Sequence, residues 1–423
     1  MHKPIPPHAV FRHGAFTTFW LARIIGNVAI FMQGVALGWM VYATARLTMD
    51  EAESMFLVGM LGLAQFLPMF ALTLVAGAFA DRYDRRTILL CSSSVHWICS
   101  LAFTWIAWQP EPSLLLIYLV AALFGVGRAF AMPAGMAMIP TLIPPEILPG
   151  AIAWNTLGVQ IGMIIGPWLG GILSAHAPVV ANASASVLFF VSLLAVLRLM
   201  MYASVNTRPA AALQEQSRLT MIRDGLVHIW GSKAVFGAIS LDLFAVLLGG
   251  VTALLPAYAK DVLDIGPEGF GQLRSVFALG AGSMTLLLAL VPIRRRVGHW
   301  MLGGVAVYGA ATLLFAVSRS ELLSMLALMV AGAADSISVF VRQNLVQILT
   351  PDVMRGRVSA VSGLFISASN ELGEFESGVA ARFLGVVGAA LFGGAGAIAV
   401  TVLWAKFFPD LRQADQLQPP RAA

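Results

Sequence analysis

Charge is scarce in this chain. Of its 423 residues, 11% are Asp, Glu, Lys or Arg, against roughly 25% in soluble globular proteins. With 59% hydrophobic residues and a mean hydropathy of +0.83, the sequence has too little polar surface for an ordinary soluble domain. Cysteine is nearly missing: Cys91 and Cys99 fall inside one apolar run, which argues against a disulfide framework and against a thiolate metal site. No Gly-x-x-x-x-Gly-Lys-Ser/Thr loop occurs, and no polar stretch is long enough for an ATPase, so any work the protein does must draw on an ion gradient. His-Glu-x-x-His and a nucleophile elbow are absent as well, so neither an enzyme nor a cofactor or metal is expected. Met1 to Ala15 contain three prolines and no apolar core with a small-residue cleavage site. A removable signal peptide is therefore not expected, and the N-terminus should stay in the cytosol.

Long apolar runs fill the rest. Twelve are recognisable, at 16–43, 54–80, 87–108, 113–140, 150–175, 179–203, 234–258, 269–292, 300–318, 321–349, 358–383 and 386–408. Each is long enough to cross about 30 Å of hydrocarbon as a helix, and their continuous Leu/Ala/Gly character does not alternate as barrel strands do. With a cytosolic N-terminus, the only basic residues left outside are Arg46, Lys260 and Arg319. The bias is positive-inside and returns both termini to the cytosol. It also accounts for the net charge of +5 without a nucleic-acid partner, since the basic residues sit singly or in threes beside span ends.

The longest polar interruption divides six spans from six. The expected organisation is an N-terminal six-helix bundle at 1–203, a cytosolic linker at 204–233 with an amphipathic helix, and a C-terminal six-helix bundle with a short tail at 234–423. In the linker Leu219, Ile222, Leu226 and Ile229 or Trp230 recur at helical spacing. The halves repeat weakly: Ile143-Pro144-Pro145 to Gly150 overlays Leu349-Thr350-Pro351 to Gly356, and Arg294-Arg295-Arg296 echoes Asp81 to Arg86. Such repeats place a substrate route between bundles near the midplane.

The run Gly77-Ala-Phe-Ala-Asp81-Arg82-Tyr-Asp84-Arg85-Arg86 resembles the signature loop between the second and third helices of the major facilitator superfamily, with Asp84 where that family often has Gly. The resemblance implies that Gly77, Asp81, Arg82, Arg85 and Arg86 form a gating loop. Its arginines can lie against lipid phosphates, and Asp81 can face the positive end of a neighbouring helix. Span five carries Gly162-x-x-x-Gly166-Pro167-x-x-Gly170-Gly171, a small-residue face suited to helix packing that also resembles the superfamily's antiporter signature and so implies export. The runs Pro351-Asp352-x-x-Arg355-Gly356-Arg357-Val358, Glu371-Leu-Gly-Glu374-Phe-Glu376-Ser-Gly378 and Phe408-Pro409-x-Leu411-Arg412 are similar to the branch that holds the enterobactin exporter and macrolide-efflux proteins. That branch implies twelve transmembrane helices in two pseudo-symmetric bundles and export of a small amphipathic, drug-like or siderophore-like molecule by proton antiport. An importer or lipid flippase of the same fold stays open as the alternative.

Charges within the spans point to mechanism. Arg23, Arg128, Arg274, Arg342 and Arg382 stand against Asp242, Asp335, Glu371, Glu374 and Glu376, and residues this costly in hydrocarbon must be paired, hydrated or protonated. Glu371 and Glu374 are three apart on one helical face, close enough for mutual repulsion to let one carry a proton. The proton-coupling candidates are Glu374, Glu371, Asp335 and Asp242; an Asp242–Arg23 pair across the halves is conceivable from the repeat. The substrate-cavity candidates are Arg342, Arg128, Arg23, Asn27 and Gln33, the last two also able to join helices by hydrogen bonds. The expected partners are a small-molecule substrate, protons and the lipid bilayer of a bacterial inner membrane, with the protein a monomer.

Overall fold

The computed structural model describes residues 7–202, 218–293 and 295–413; the side chains of a few helical positions inside these ranges, Asp81 among them, fall outside the description. Residues 204–217 of the expected linker, and Arg294 of the second basic cluster, likewise lie outside the described residues. A 3-10 turn at Pro7–Arg12 leads into α1 (Gly14–Ala45), then α2 (Glu51–Arg82), α3 (Arg85–Trp108), α4 (Leu114–Leu142), α5 (Leu148–His176), α6 (Pro178–Met200), α7 (Arg218–Gly231) and α8 (Lys233–Leu248). A one-turn α9 (Leu255–Ala257) is followed by α10 (Gly266–Leu290), α11 (Val297–Val317), α12 (Glu321–Leu349), α13 (Asp352–Phe407) and α14 (Pro409–Arg412).

Among the described residues eleven helices are long and apolar enough to cross a membrane. The last of them runs for 51 residues, Arg357–Phe407, or about 77 Å at 1.5 Å per residue, more than twice the hydrocarbon thickness. It is two helices joined at Gly385, whose φ of 72° and ψ of 166° only glycine adopts without strain. Twelve crossings result. The seventh departs from a continuous span: α8 stops at Leu248, and the path continues through a 3-10 turn at Val251–Leu254, α9 and a π turn at Tyr258–Val262. Gly249 and Gly250 weaken the helix there and Pro256 withholds a donor. The freed carbonyl of Gly249 accepts the hydroxyl of Tyr308.

The chain clusters into two compact units, one of Met1–Leu47, Ala64–Gln214 and Gly266–Ser275, the other of Thr48–Leu63, Glu215–Ile265 and Val276–Ala423. The expected boundaries assign whole spans to each half, whereas here the first turns of α2 belong to the second unit and those of α10 to the first. Glycine pairs explain the exchange. A Cβ on Gly59 would lie 3.2 Å from the Cα of Gly378, and one on Gly271 would lie 2.8 Å from the Cα of Gly171, so these backbones meet at closest range.

In the first unit the glycine face of α5 packs on α1. A methyl on Gly162 would sit 2.7 Å from Asn27 Cβ, on Gly166 2.8 Å from the Val28 carbonyl and on Gly170 2.8 Å from the Met32 carbonyl. Phe16, Phe19, Met138, Ile139 and Leu199 form the core at one end of this unit. In the second unit Leu241, Val297, Met301, Val305, Val341 and Ala397 make the core. There α7 docks through Ile229, packed with Val235, Ile239, Val346, Val358 and Val361, while Trp230 points outward at 68% exposure. An Arg357–Asp224 ion pair of 2.8 Å fastens the same helix to α13.

Candidate functional site

In the second unit three of the charged candidates converge. Arg342 Nη1 lies 3.3 Å from Asp242 Oδ2, and the two side chains are only 2% and 5% exposed. Asp335 stands two helical turns before Arg342 on α12 and, with Asp242, Tyr308 and Ser338, lines a cavity of about 10 Å³, room for a single water. Ser338 Oγ and Arg342 Nε have no protein partner among the described residues. Two carboxylates thus share one enclosed space, and one of them, Asp242, is paired with the Arg342 guanidinium. Fully ionised, the group carries a net charge of −1; with one proton added it is neutral. That is the arithmetic a proton-coupled centre needs, and it is held by α8, α11 and α12, whose apolar flanks exclude lipid and solvent alike.

Asp242 therefore pairs within its own unit, with Arg342, and not with Arg23 as the repeat suggested. The two residues are far apart in sequence, and a hand overlay of weak repeats has no means to place them side by side.

The two glutamates of α13 lie elsewhere in this unit. Glu374 faces the first half of α2, its Oε2 3.2 Å from where a Cβ on Gly62 would stand. Neither it nor Glu371 lines the Asp242–Asp335 cavity. Two turns beyond Glu374, Arg382 stacks 5.0 Å above the ring of Phe56, and Phe56 packs on Phe375. Glu376 is partly buried.

In the first unit Arg23 and Asn27, one turn apart on α1, line a cavity of about 60 Å³ together with Ser93, His96, Phe189 and Ser192. Gln33 does not reach it. Its amide nitrogen donates to Asn182 Oδ1 at 2.5 Å and its amide oxygen accepts from Ser100 at 2.8 Å. Ser186 closes the network by donating to Ser100 Oγ at 2.9 Å and meeting Thr104 Oγ1 at 3.1 Å. Both ends of Gln33 are thus engaged in joining α1, α3 and α6. Arg128 sits on α4, within electrostatic reach of His96.

The gating run is not a loop in this fold. Asp81 and Arg82 finish α2, Arg85 opens α3, and only Tyr83 and Asp84 lie between. Asp84 caps α3 by accepting from the Arg86 amide at 2.8 Å and pairs with the Arg86 guanidinium at 3.1 Å. Arg86 also donates to the Tyr202 carbonyl at 3.2 Å, and Arg85 to the Ala137 carbonyl at 2.9 Å. These guanidiniums serve protein carbonyls, that of Ala137 on α4 and that of Tyr202 just past the end of α6. A carbonyl just past a helix end lacks an intrahelical partner and competes well for a nearby cation.

His96, Tyr308 and Ser338 are absent from the sequence candidates. A histidine and a tyrosine inside apolar runs are themselves a signal, but they carry no formal charge and escape a count of charged residues.

These features define the class: a multi-pass helical transporter with a buried acid–arginine centre. A family model described as transmembrane secretion effector matches residues 5–421, and the chain belongs to that family of the major facilitator superfamily. It is 29% identical over 391 residues to the enterobactin exporter EntS of Escherichia coli O81 (strain ED1a), covering 92% of this chain and 87% of that protein. The same name and figures hold for its relative in Shigella boydii serotype 18. Among solved structures, a D-xylose-proton symporter aligns with a TM-score of 0.71 at 14% identity, covering 96% of this chain and 99% of the other. A peptide transporter POT in complex with sulfate aligns with a TM-score of 0.72 at 12% identity, covering 97% and 100%. At such identities these two establish the fold alone.

Proposed function

We propose that this protein exports a small amphipathic, siderophore-like organic molecule across a bacterial inner membrane in exchange for protons, by alternating access. It acts as a monomer with both termini in the cytosol. The observation that carries the coupling is the Asp242–Asp335–Arg342 group, two carboxylates lining one small cavity with a buried guanidinium paired to one of them. Proton arrival at this group removes a net charge and weakens the electrostatic hold on Arg342, which changes the relative cost of the two openings. The direction of transport is supported by the exporter relatives and by the glycine face of α5, whose pattern resembles the antiporter signature. Glu374 and Glu371 act secondarily, in the packing of α13 against the start of α2.

The test is proton-driven transport in everted membrane vesicles, with enterobactin and a panel of antibiotics as probes. A substrate found with the unsubstituted protein is expected to lose its response to a pH gradient in Asp335→Asn and Asp242→Asn, while Glu374→Gln keeps it. If Asp335→Asn retains full pH-driven transport, the coupling centre is misplaced; if no probe moves, the proposed cargo class is wrong.

A further inference from the structure

The geometry points to a binding site for a carboxylate-bearing organic anion inside the first unit, built from Arg23, Asn27 and His96. Nine buried side-chain atoms among the described residues have no hydrogen-bond partner, and three of them, Arg23 Nε, Asn27 Nδ2 and His96 Nε2, belong to residues lining one cavity. Two of these groups are donors; His96 also bonds the Phe124 backbone, so its Nε2 is the acceptor of a neutral ring and turns donor to a carboxylate when the ring takes up a proton. Asn27 and His96 are 9% and 5% exposed, so water outside the protein does not serve them.

Charge points the same way. Arg23 stands mid-helix in an apolar span, where an arginine is expected to find a carboxylate, yet no ion pair or hydrogen bond to its guanidinium exists among the described residues. Arg128 adds to the positive field at His96. Gln33, Asn182, Ser100 and Ser186 of the same unit are, by contrast, closed on one another. Three unpartnered groups on residues lining one cavity are the pattern of a site awaiting an acceptor-rich ligand.

The neighbouring helix is shaped to admit these side chains. A Cβ on Gly127 would stand 2.8 Å from His96 Nε2, and one on Gly135 3.0 Å from Arg23 Nη1. Two glycines, two turns apart on α4, therefore make room for the imidazole and the guanidinium. The cavity of about 60 Å³ accommodates a carboxylate head, while Phe189 and Ile30 on its wall suit an apolar body. The site deepens the export reading by giving the cargo an acidic group, and it rests on that reading only for its role in transport.

The experiment is thermal unfolding of the full-length protein in detergent at constant ionic strength, with chloride exchanged for acetate, and with acetamide as the neutral counterpart. Acetate is expected to raise the midpoint by about 2 °C or more at saturation, acetamide not at all, and Arg23→Gln to abolish the response. Asn27→Asp supplies an internal carboxylate one turn from Arg23. It is expected to raise the midpoint in chloride and to abolish the acetate response, a gain that a failure to fold cannot imitate. Equal midpoints in acetate and chloride, an equal effect of acetamide, or an acetate response that survives both substitutions would overturn the site. An acetate response in a protein that moves no substrate in vesicles would overturn the transport reading and leave the site standing.

Discussion

Removing either acid of the Asp242–Asp335–Arg342 group should cost less than removing both would suggest from simple addition. At 3.3 Å and an effective dielectric of about 20, the Asp242–Arg342 attraction is about 5 kcal/mol before desolvation. Stranding one member of so buried a pair ordinarily costs about 3–5 kcal/mol. Asp335, however, shares a cavity with Asp242 and lies within electrostatic reach of both partners, so in Asp242→Asn the guanidinium still has a carboxylate within electrostatic reach. We expect Asp242→Asn and Asp335→Asn each to fall below that range. In the double substitution Arg342 has no counterion, and the loss should exceed the sum by about 0.5–3 kcal/mol. The assay is equilibrium unfolding of all four proteins in bicelles by titration with SDS. A double loss equal to the sum within about 0.5 kcal/mol would mean that Asp335 does not substitute for Asp242, and the expectation would fail.

Three further outcomes follow from other parts of the fold. Gly166→Ala drives a methyl to 2.8 Å from the Val28 carbonyl and should cost about 1–3 kcal/mol; Gly34→Ala, with nothing within 4 Å, should be neutral or stabilising by up to about 1 kcal/mol, and the same unfolding assay compares them. Asp84→Ala removes the cap of α3 and is expected to cost about 0.5–2 kcal/mol, with faster amide exchange at Arg86. Arg357→Ala breaks the half-exposed pair to Asp224; the stability loss should be about 1 kcal/mol or less, but hydrogen exchange in α7 should rise, and added salt should reproduce that rise in the unsubstituted protein.

The sequence makes some of this architecture readable and conceals the rest for identifiable reasons. Hydrophobic runs mark the crossings well, including the break between spans eleven and twelve, because Gly385 falls at the observed kink between 383 and 386. The double glycine at 249–250 and Pro256 were equally visible signals of a broken seventh span, yet the continuous apolar character there masks them. Pairings are another matter. That Asp335 and Arg342 share a face follows from helical spacing, but the arrival of Asp242 depends on how α8 packs on α12, which spacing within one helix does not encode. Asn182 as the partner of Gln33 is hidden in the same way. The exchange of α2 and α10 between the units is legible only as glycines, whose partners are set in three dimensions.

The polar groups inside the spans divide into two kinds, and the division separates scaffold from site. Gln33, Ser100, Asn182, Ser186 and Thr104 satisfy one another completely, so the bonding between α1, α3 and α6 has no capacity left for a ligand. Arg23, Asn27 and His96 in the first unit, and Arg342 and Ser338 in the second, each retain a buried atom without a protein partner. An unmade hydrogen bond in a low-dielectric interior costs about 1–3 kcal/mol, and five of the nine such atoms among the described residues fall in these two groups. A carrier must bind and release, which closed networks cannot do. The open groups are therefore where substrate and proton should act, and substitutions in the Gln33 network should change stability while leaving the pH dependence of transport where it was.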